Sequence, residues 1–125
     1  MRRFKIFVVL LQLIAVSFSF AEKTEAEKIK YLLDEIENSG AVFIRNNGMY
    51  PSSEARRHLE LKMKNAGGRI KTAREFIEHV ASKSSFSGEA YFIRMKNGRE
   101  YKVADWLREK LADYEKLHAG LDNKK

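Results

Sequence analysis

Apolar side chains recur at helical spacing in four stretches of this chain. In the first, Ile29, Leu32, Leu33 and Ile36 share one helical face. A threonine followed three residues later by a glutamate forms a capping box at the start of this helix and again before the third. The predicted helices run from Thr24 to Gly40, from about Glu54 to Ala66, from Thr72 to about Lys83, and from Ala104 or Asp105 towards the C-terminus.

Shorter apolar stretches between these helices predict β-strands. One covers Val42–Arg45, and the turn-forming residues Asn46-Asn47-Gly48 end it. Two more, Tyr91–Lys96 and Arg99–Val103, flank Asn97-Gly98, a pair that favours a tight hairpin because both residues accept positive φ. The sequence therefore predicts a small antiparallel sheet of two or three strands.

The element order α-β-α-α-β-β-α is typical of an α+β fold. The second and third helices repeat one apolar spacing on either side of Gly67-Gly68, which predicts a central helical hairpin. We expect four helices to pack on one face of the sheet, because a lone hairpin is marginal in water. Residues 22–125 then form one domain, with residues 120–125 as a frayed tail.

The N-terminus has the layout of a secretory signal peptide. Two arginines and a lysine precede the apolar run Ile6–Phe18, and small residues follow at Ser19 and Ala21. The run contains Gln12 and is shorter than the roughly 20 apolar residues of a transmembrane helix. We therefore expect residues 1–21 to be cleaved, leaving a periplasmic protein that begins near Glu22 and has no stable membrane anchor.

Charge and cysteine content narrow the function further. The formal net charge is +7, and three of these charges lie in residues 1–21, which leaves +4 for residues 22–125. The charges are interspersed, and no basic tract or recognised module predicts binding to nucleic acid. The chain has no cysteine, so neither a lipid-modified cysteine nor a disulfide is available, and the apolar core must suffice for stability.

Two polar residues interrupt the apolar face of the second helix. Lys62 falls near the middle of the face formed by Ala55, Leu59 and Met63, and His58 lies beside it. A buried ammonium group must reach water, find an anion or lose its proton. One interpretation is structural: the lysine stem is buried with its head in water, and the histidine bonds a nearby carbonyl.

The other interpretation is an anion pocket, because cations that intrude on an apolar face often belong to a site. Arg45 at the end of the first strand and the serine-rich loop Ser84–Gly88 could complete such a pocket. The candidate ligand-binding residues are Arg45, Asn46, His58, Lys62, Ser84, Ser85, Ser87 and Tyr91.

An enzymatic alternative uses His58 as a general base for Ser85 or Ser87. The sequence lacks a G-x-S-x-G motif, and serines also favour loops and caps for structural reasons, so no catalytic residue is assigned. Three histidines without cysteine match no metal-ligand spacing, and we expect neither a metal nor a cofactor.

From about Ala26 to Ile93 the chain resembles the YfeK-like family of small periplasmic proteins, whose function is unknown. The resemblance implies a periplasmic location and gives added weight to the positions of His58, Lys62 and the serine loop, but it implies no activity. Some members carry a cysteine where this chain has Ser53, so a redox role there does not transfer. The matching stretches are Phe43-Ile44-Arg45-Asn46, Glu54-Ala55, His58-Leu59, Lys62, Ile70, Thr72-Ala73, Phe76-Ile77, Val80-Ala81-Ser82, Ser84-Ser85, Ser87-Gly88, Tyr91 and Ile93.

These observations favour a secreted, non-enzymatic binding or interaction module. Its partner is expected to be a small anionic ligand or another periplasmic protein. Two alternatives remain open at the level of sequence: a small periplasmic hydrolase that uses His58 and a loop serine, and a purely structural factor without a pocket.

Overall fold

A computed structural model describes residues 24–122, and the predicted signal peptide and residues 123–125 lie outside this range. Helix α1 covers residues 24–38. A short 3-10 turn, Gly67–Arg69, follows the second helix, α2 (Ser52–Ala66). The third helix, α3 (Ala73–Glu75), continues directly as a π-helical segment, Phe76–Ala81. The remaining elements are β1 (Val42–Arg45), β2 (Gly48–Pro51), β3 (Phe92–Arg94), β4 (Glu100–Lys102) and α4 (Val103–Asp122).

The α+β fold with four helices is confirmed, but the sheet has four antiparallel strands, in the order β2-β1-β3-β4, instead of two or three. The sequence does not predict strand β2, because Asn46-Asn47-Gly48 is typical of residues that end a strand. Both asparagines adopt positive φ, 49° and 65°, and join β1 to β2 in a two-residue turn that pairs Arg45 with Gly48. Such turns match the twist of a β-hairpin.

The core lies between one face of the sheet and the helices. Phe43 of β1 and Ile93 of β3 are directly opposite each other and buried, whereas their neighbours along each strand are only partly buried. Successive strand residues point to opposite faces, so this alternation marks the helix-covered side. The largest fully buried side chains are Phe76, Leu32, Ile36, Ile77, Ile93, Leu107, Val80 and Val103.

The third helix begins as the sequence predicts but ends differently. The Thr72 hydroxyl accepts a hydrogen bond from the Glu75 backbone N–H at 3.1 Å, and the Glu25 carboxylate of α1 accepts one from the Ala73 N–H at 2.8 Å. Helical structure stops at Ala81 instead of Lys83, and its last six residues are π-helical. Over so short a run the sequence period cannot separate an α-helix from a π-helix.

The last helix is longer than the sequence predicts at both ends. It starts at Val103, whose N–H donates to the Tyr91 carbonyl at 2.9 Å. It continues through Gly120 to Asp122, whereas the sequence predicts a frayed tail from residue 120. No helix within residues 24–122 combines the length and the apolar character that a membrane span requires.

We expect Gly98→Ala to lower the free energy of unfolding by about 1–2 kcal/mol, because a side chain disfavours the left-handed backbone. Gly98 has φ +88° in the loop between β3 and β4, and a Cβ added there would meet only open space. Gly68 also has open space but no positive φ, so Gly68→Ala is the matched control. Urea denaturation measures both, and equal losses would contradict the backbone argument.

Candidate functional site

The sheet brings Arg45 and Tyr91 to the same place. Arg45 lies two residues after Phe43, and Tyr91 lies two residues before Ile93, which faces Phe43 across the β1–β3 pair. Residues two apart share a face, so both side chains point to the helix-covered side at the same end of the sheet. The Tyr91 backbone is held there by bonds from its N–H to the Ser82 carbonyl and from Val103 to its own carbonyl.

Helix α2 supplies the other two side chains from consecutive turns. His58 and Lys62 are four residues apart and therefore neighbours on one helical face. The Lys62 ammonium donates to the Tyr91 hydroxyl at 3.1 Å and to the Lys83 carbonyl at 2.9 Å. His58 Nε2 lies 3.2 Å from the Tyr91 hydroxyl. We call Arg45, His58, Lys62 and Tyr91 the basic cluster.

The Arg45 guanidinium is held between two rings. Its Nη1 lies 2.8 Å from each ring nitrogen of His58, so the nitrogen without a proton accepts a hydrogen bond from it. On another side the guanidinium carbon lies 4.8 Å from the centre of the Tyr50 ring, a cation–π contact. The Lys62 ammonium makes a similar contact with Tyr91 at 4.9 Å.

Both cations of the basic cluster have neutral partners. Among residues 24–122 no carboxylate lies within 4.0 Å of Arg45 or of Lys62, although both side chains are partly buried. Arg56 of the same helix, in contrast, has acidic partners. The carboxylates of Asp34, Glu37 and Glu60 each lie 2.6 Å from its guanidinium group. The polar companions of Lys62 are thus a carbonyl and a phenol instead of an anion.

Burial and mutual repulsion set the protonation of the cluster. Burial, then the charges of Arg45 and Lys62, lower the pKa of His58 below its ordinary value of 6.5. Burial and the Arg45 charge lower the pKa of Lys62 below 10.5. Burial raises the pKa of Tyr91 above 10.0, and the Arg45 charge partly offsets this. At neutral pH His58 is therefore uncharged and can accept a hydrogen bond from Arg45.

A pocket of about 140 Å³ opens beside the cluster, between the β1–β2 hairpin and α2. Arg45, His58 and Tyr91 contribute to its wall, and so does Glu54, which lies one helical turn before His58. Most of the remaining wall is apolar. Tyr50 and the pocket wall that it forms could not be predicted, because the sequence pattern did not identify β2.

The candidate residues of the serine loop form a separate network. The buried Ser84 hydroxyl accepts from the Asn46 side-chain amide at 3.2 Å and from the N–H groups of Phe86 and Ser87 at 3.3 Å. The Ser87 hydroxyl donates to the Asn46 side-chain carbonyl at 2.5 Å. These bonds join the loop to the β1–β2 turn beside the basic cluster.

Ser85 belongs to neither the basic cluster nor this hydrogen-bond network, but it lies near Lys62. It is exposed and lines a groove of about 670 Å³ together with Lys62 and His79. Within residues 24–122 the hydrogen-bond partners of the His58 ring are Arg45 and Tyr91, and no serine is among them. The arrangement therefore gives no support to His58 as a general base for a loop serine.

Metal ligation finds no support either. Across the described range, no group of three or more His, Asp or Glu side chains is arranged to hold a metal ion. The chemistry of the basic cluster is that of hydrogen-bond donors and positive charge, which is suited to a carboxylate or phosphate group.

Comparison with known proteins places most of the chain in one family. Residues 23–115 match the Family of unknown function (DUF5329). The chain is 35% identical over 85 residues to the "Uncharacterized protein YfeK" of Salmonella typhimurium, covering 67% of this chain and 71% of that protein. The YfeK-like resemblance seen in the sequence is thereby confirmed. No solved structure matches the chain.

We expect stability to fall as the pH decreases below about 6.5, because His58 has a lowered pKa in the folded state and an ordinary one when unfolded. The unfolded chain then binds more protons, which gives a slope of at most about 1.4 kcal/mol per pH unit. His58→Gln keeps an acceptor for Arg45 and should remove this slope, measured by urea denaturation between pH 5 and 7.

The matched control is His79→Gln, since His79 is exposed on the π-helical segment. It should keep the slope of the parent protein. An unchanged slope in His58→Gln would contradict the assignment of the effect to the basic cluster.

Proposed function

Because this chain belongs to the DUF5329 family, whose function is unknown, its role must be argued from its own residues, and we propose a non-enzymatic binding module. In this proposal the basic cluster receives an anionic group, a carboxylate or a phosphate. The group is carried by a small ligand or presented by a partner protein. His58 and Tyr91 position the two cations and offer further hydrogen bonds.

The observation that carries this proposal is the pairing of Arg45 and Lys62 with neutral groups only. Partly buried cations without an anion are costly, and a bound anion would lower that cost. The Arg45 contacts with His58 use Nη1, so the guanidinium has further N–H groups for a ligand. A carboxylate or phosphate can accept two of them side by side.

We further propose that the protein works in the periplasm after removal of residues 1–21. The support is the basic, apolar and small-residue layout of the N-terminus. The mild basic excess of residues 22–125 would favour the approach of anions in general.

Anion binding should depend on Arg45 more than on the overall charge of the protein. In an NMR titration with acetate and inorganic phosphate, we expect Arg45→Gln to weaken binding about tenfold or more, because a charged hydrogen-bond donor is lost. Lys62→Gln should cause a smaller loss, since Lys62 donates to the Tyr91 hydroxyl and does not line the pocket.

The control is Arg99→Gln, which removes the same charge from an exposed position in the β3–β4 loop. It should leave binding unchanged. Equal weakening by Arg45→Gln and Arg99→Gln would mean that net charge alone attracts the anions, and the proposed site would be wrong. Thermal unfolding of each variant excludes loss of the fold as the cause.

Export should yield a protein that begins at Glu22. Mass spectrometry of the periplasmic fraction of a Gram-negative host is expected to show the chain without residues 1–21. Ala21→Arg removes the small residue before the cleavage point and should leave the full chain uncleaved in the membrane fraction. Recovery of a chain that still carries Met1 from the periplasm of cells expressing the parent sequence would contradict the proposal.

A further inference from the structure

The pocket beside the basic cluster has an apolar floor that the binding of a bare anion would not use. Side chains of Phe43, Tyr50, Ala55 and Leu59 line it, and three of these belong to the core. Apolar surface left open in a pocket is stabilised when an apolar group covers it. The floor therefore indicates that the ligand carries an apolar part as well as a negative charge.

The volume of the pocket limits the size of this apolar part. Its volume of about 140 Å³ is close to that of cavities which hold one benzene molecule, roughly 150 Å³. A single ring or a short branched aliphatic chain fits this space, and a sugar ring carrying hydroxyl groups would find few partners on the apolar floor.

The charged end of the pocket selects the head group. The Arg45 guanidinium lies at the wall, held between the rings of Tyr50 and His58, so its plane is fixed before a ligand arrives. A planar carboxylate matches such a guanidinium edge with two parallel hydrogen bonds. Glu54 also lines the pocket, and its negative charge disfavours a ligand with more than one anionic group.

We propose that the ligand of this pocket is a monocarboxylate whose apolar part is about the size of a benzene ring. The carboxylate pairs with Arg45, and the apolar part lies on Leu59, Ala55 and Phe43. The inference rests on the proposed function, because it keeps the anion at the basic cluster and adds an apolar part that occupies the pocket.

Three probes of matched design test the inference on the unaltered protein by NMR titration at pH 7. Benzoate carries both the ring and the carboxylate, acetate carries the carboxylate alone, and benzylamine carries the ring with a positive charge. We expect benzoate to bind about tenfold more tightly than acetate, because only its ring covers the apolar floor. Benzylamine should bind more weakly than benzoate, since Arg45 repels it.

The outcomes separate the two proposals. Equal binding of benzoate and acetate, both weakened by Arg45→Gln, would overturn the inference and leave anion binding in place. Tighter binding of benzylamine than of benzoate would make Glu54 the recognising charge and overturn both. If neither acetate, benzoate nor inorganic phosphate binds, the proposed function itself is wrong.

Filling the pocket provides a second test. Ala55→Leu adds three carbons to the wall and should weaken benzoate binding about tenfold, while acetate binding changes little. The control is Leu61→Ala at an exposed position of the same helix, which should leave both affinities unchanged. Benzoate binding unaffected by Ala55→Leu, in a variant that unfolds normally, would place the ring elsewhere and overturn the inference.

Discussion

The solvation of the Lys62 ammonium constrains how the helices and the sheet meet. Its stem lies on the apolar face of α2, so its charge has to be satisfied by groups that other elements supply. The ammonium group donates hydrogen bonds to the Lys83 carbonyl at 2.9 Å and to the Tyr91 hydroxyl at 3.1 Å. Lys83 follows the π-helical segment, and Tyr91 precedes β3. One side chain thus connects α2 to the end of the third helix and to the sheet, and these connections position His58 beside Arg45.

Most of the fold could be predicted because its helices are amphipathic and carry local start and stop signals. The buried face of α1 matches the predicted residues, and Thr72 caps the third helix as the capping box indicates. Strand β2 could not be predicted, because Asn46-Asn47 both ends β1 and forms the hairpin turn to β2. A sequence pattern that marks the end of a strand does not show whether a second strand follows. Its short sequence, which ends in Pro51, shows no clear alternation of apolar and polar side chains.

The candidate residues were easier to predict than their arrangement. His58 and Lys62 could be recognised because helical geometry places them on an apolar face without reference to the rest of the chain. Their proximity to Arg45 and Tyr91 depends on the pairing of β1 with β3, two strands separated by two helices. No local sequence pattern predicts the register of such a pair. The hydrogen bonds of Ser84 and Ser87 with Asn46 depend on the same long-range pairing, so no local pattern could predict them either.

The two edge strands of the sheet, β2 and β4, affect whether molecules of this protein associate with one another. Unpaired backbone groups along a sheet edge invite a strand from another molecule. Here β4 spans three residues, Glu100–Lys102, with a charge at each end, and β2 spans four residues and closes on Pro51, which has no N–H to offer. Both edge strands are short, and the charges of β4 and the proline of β2 oppose the addition of a further strand, which disfavours stacking of the chains into fibres at high local concentration.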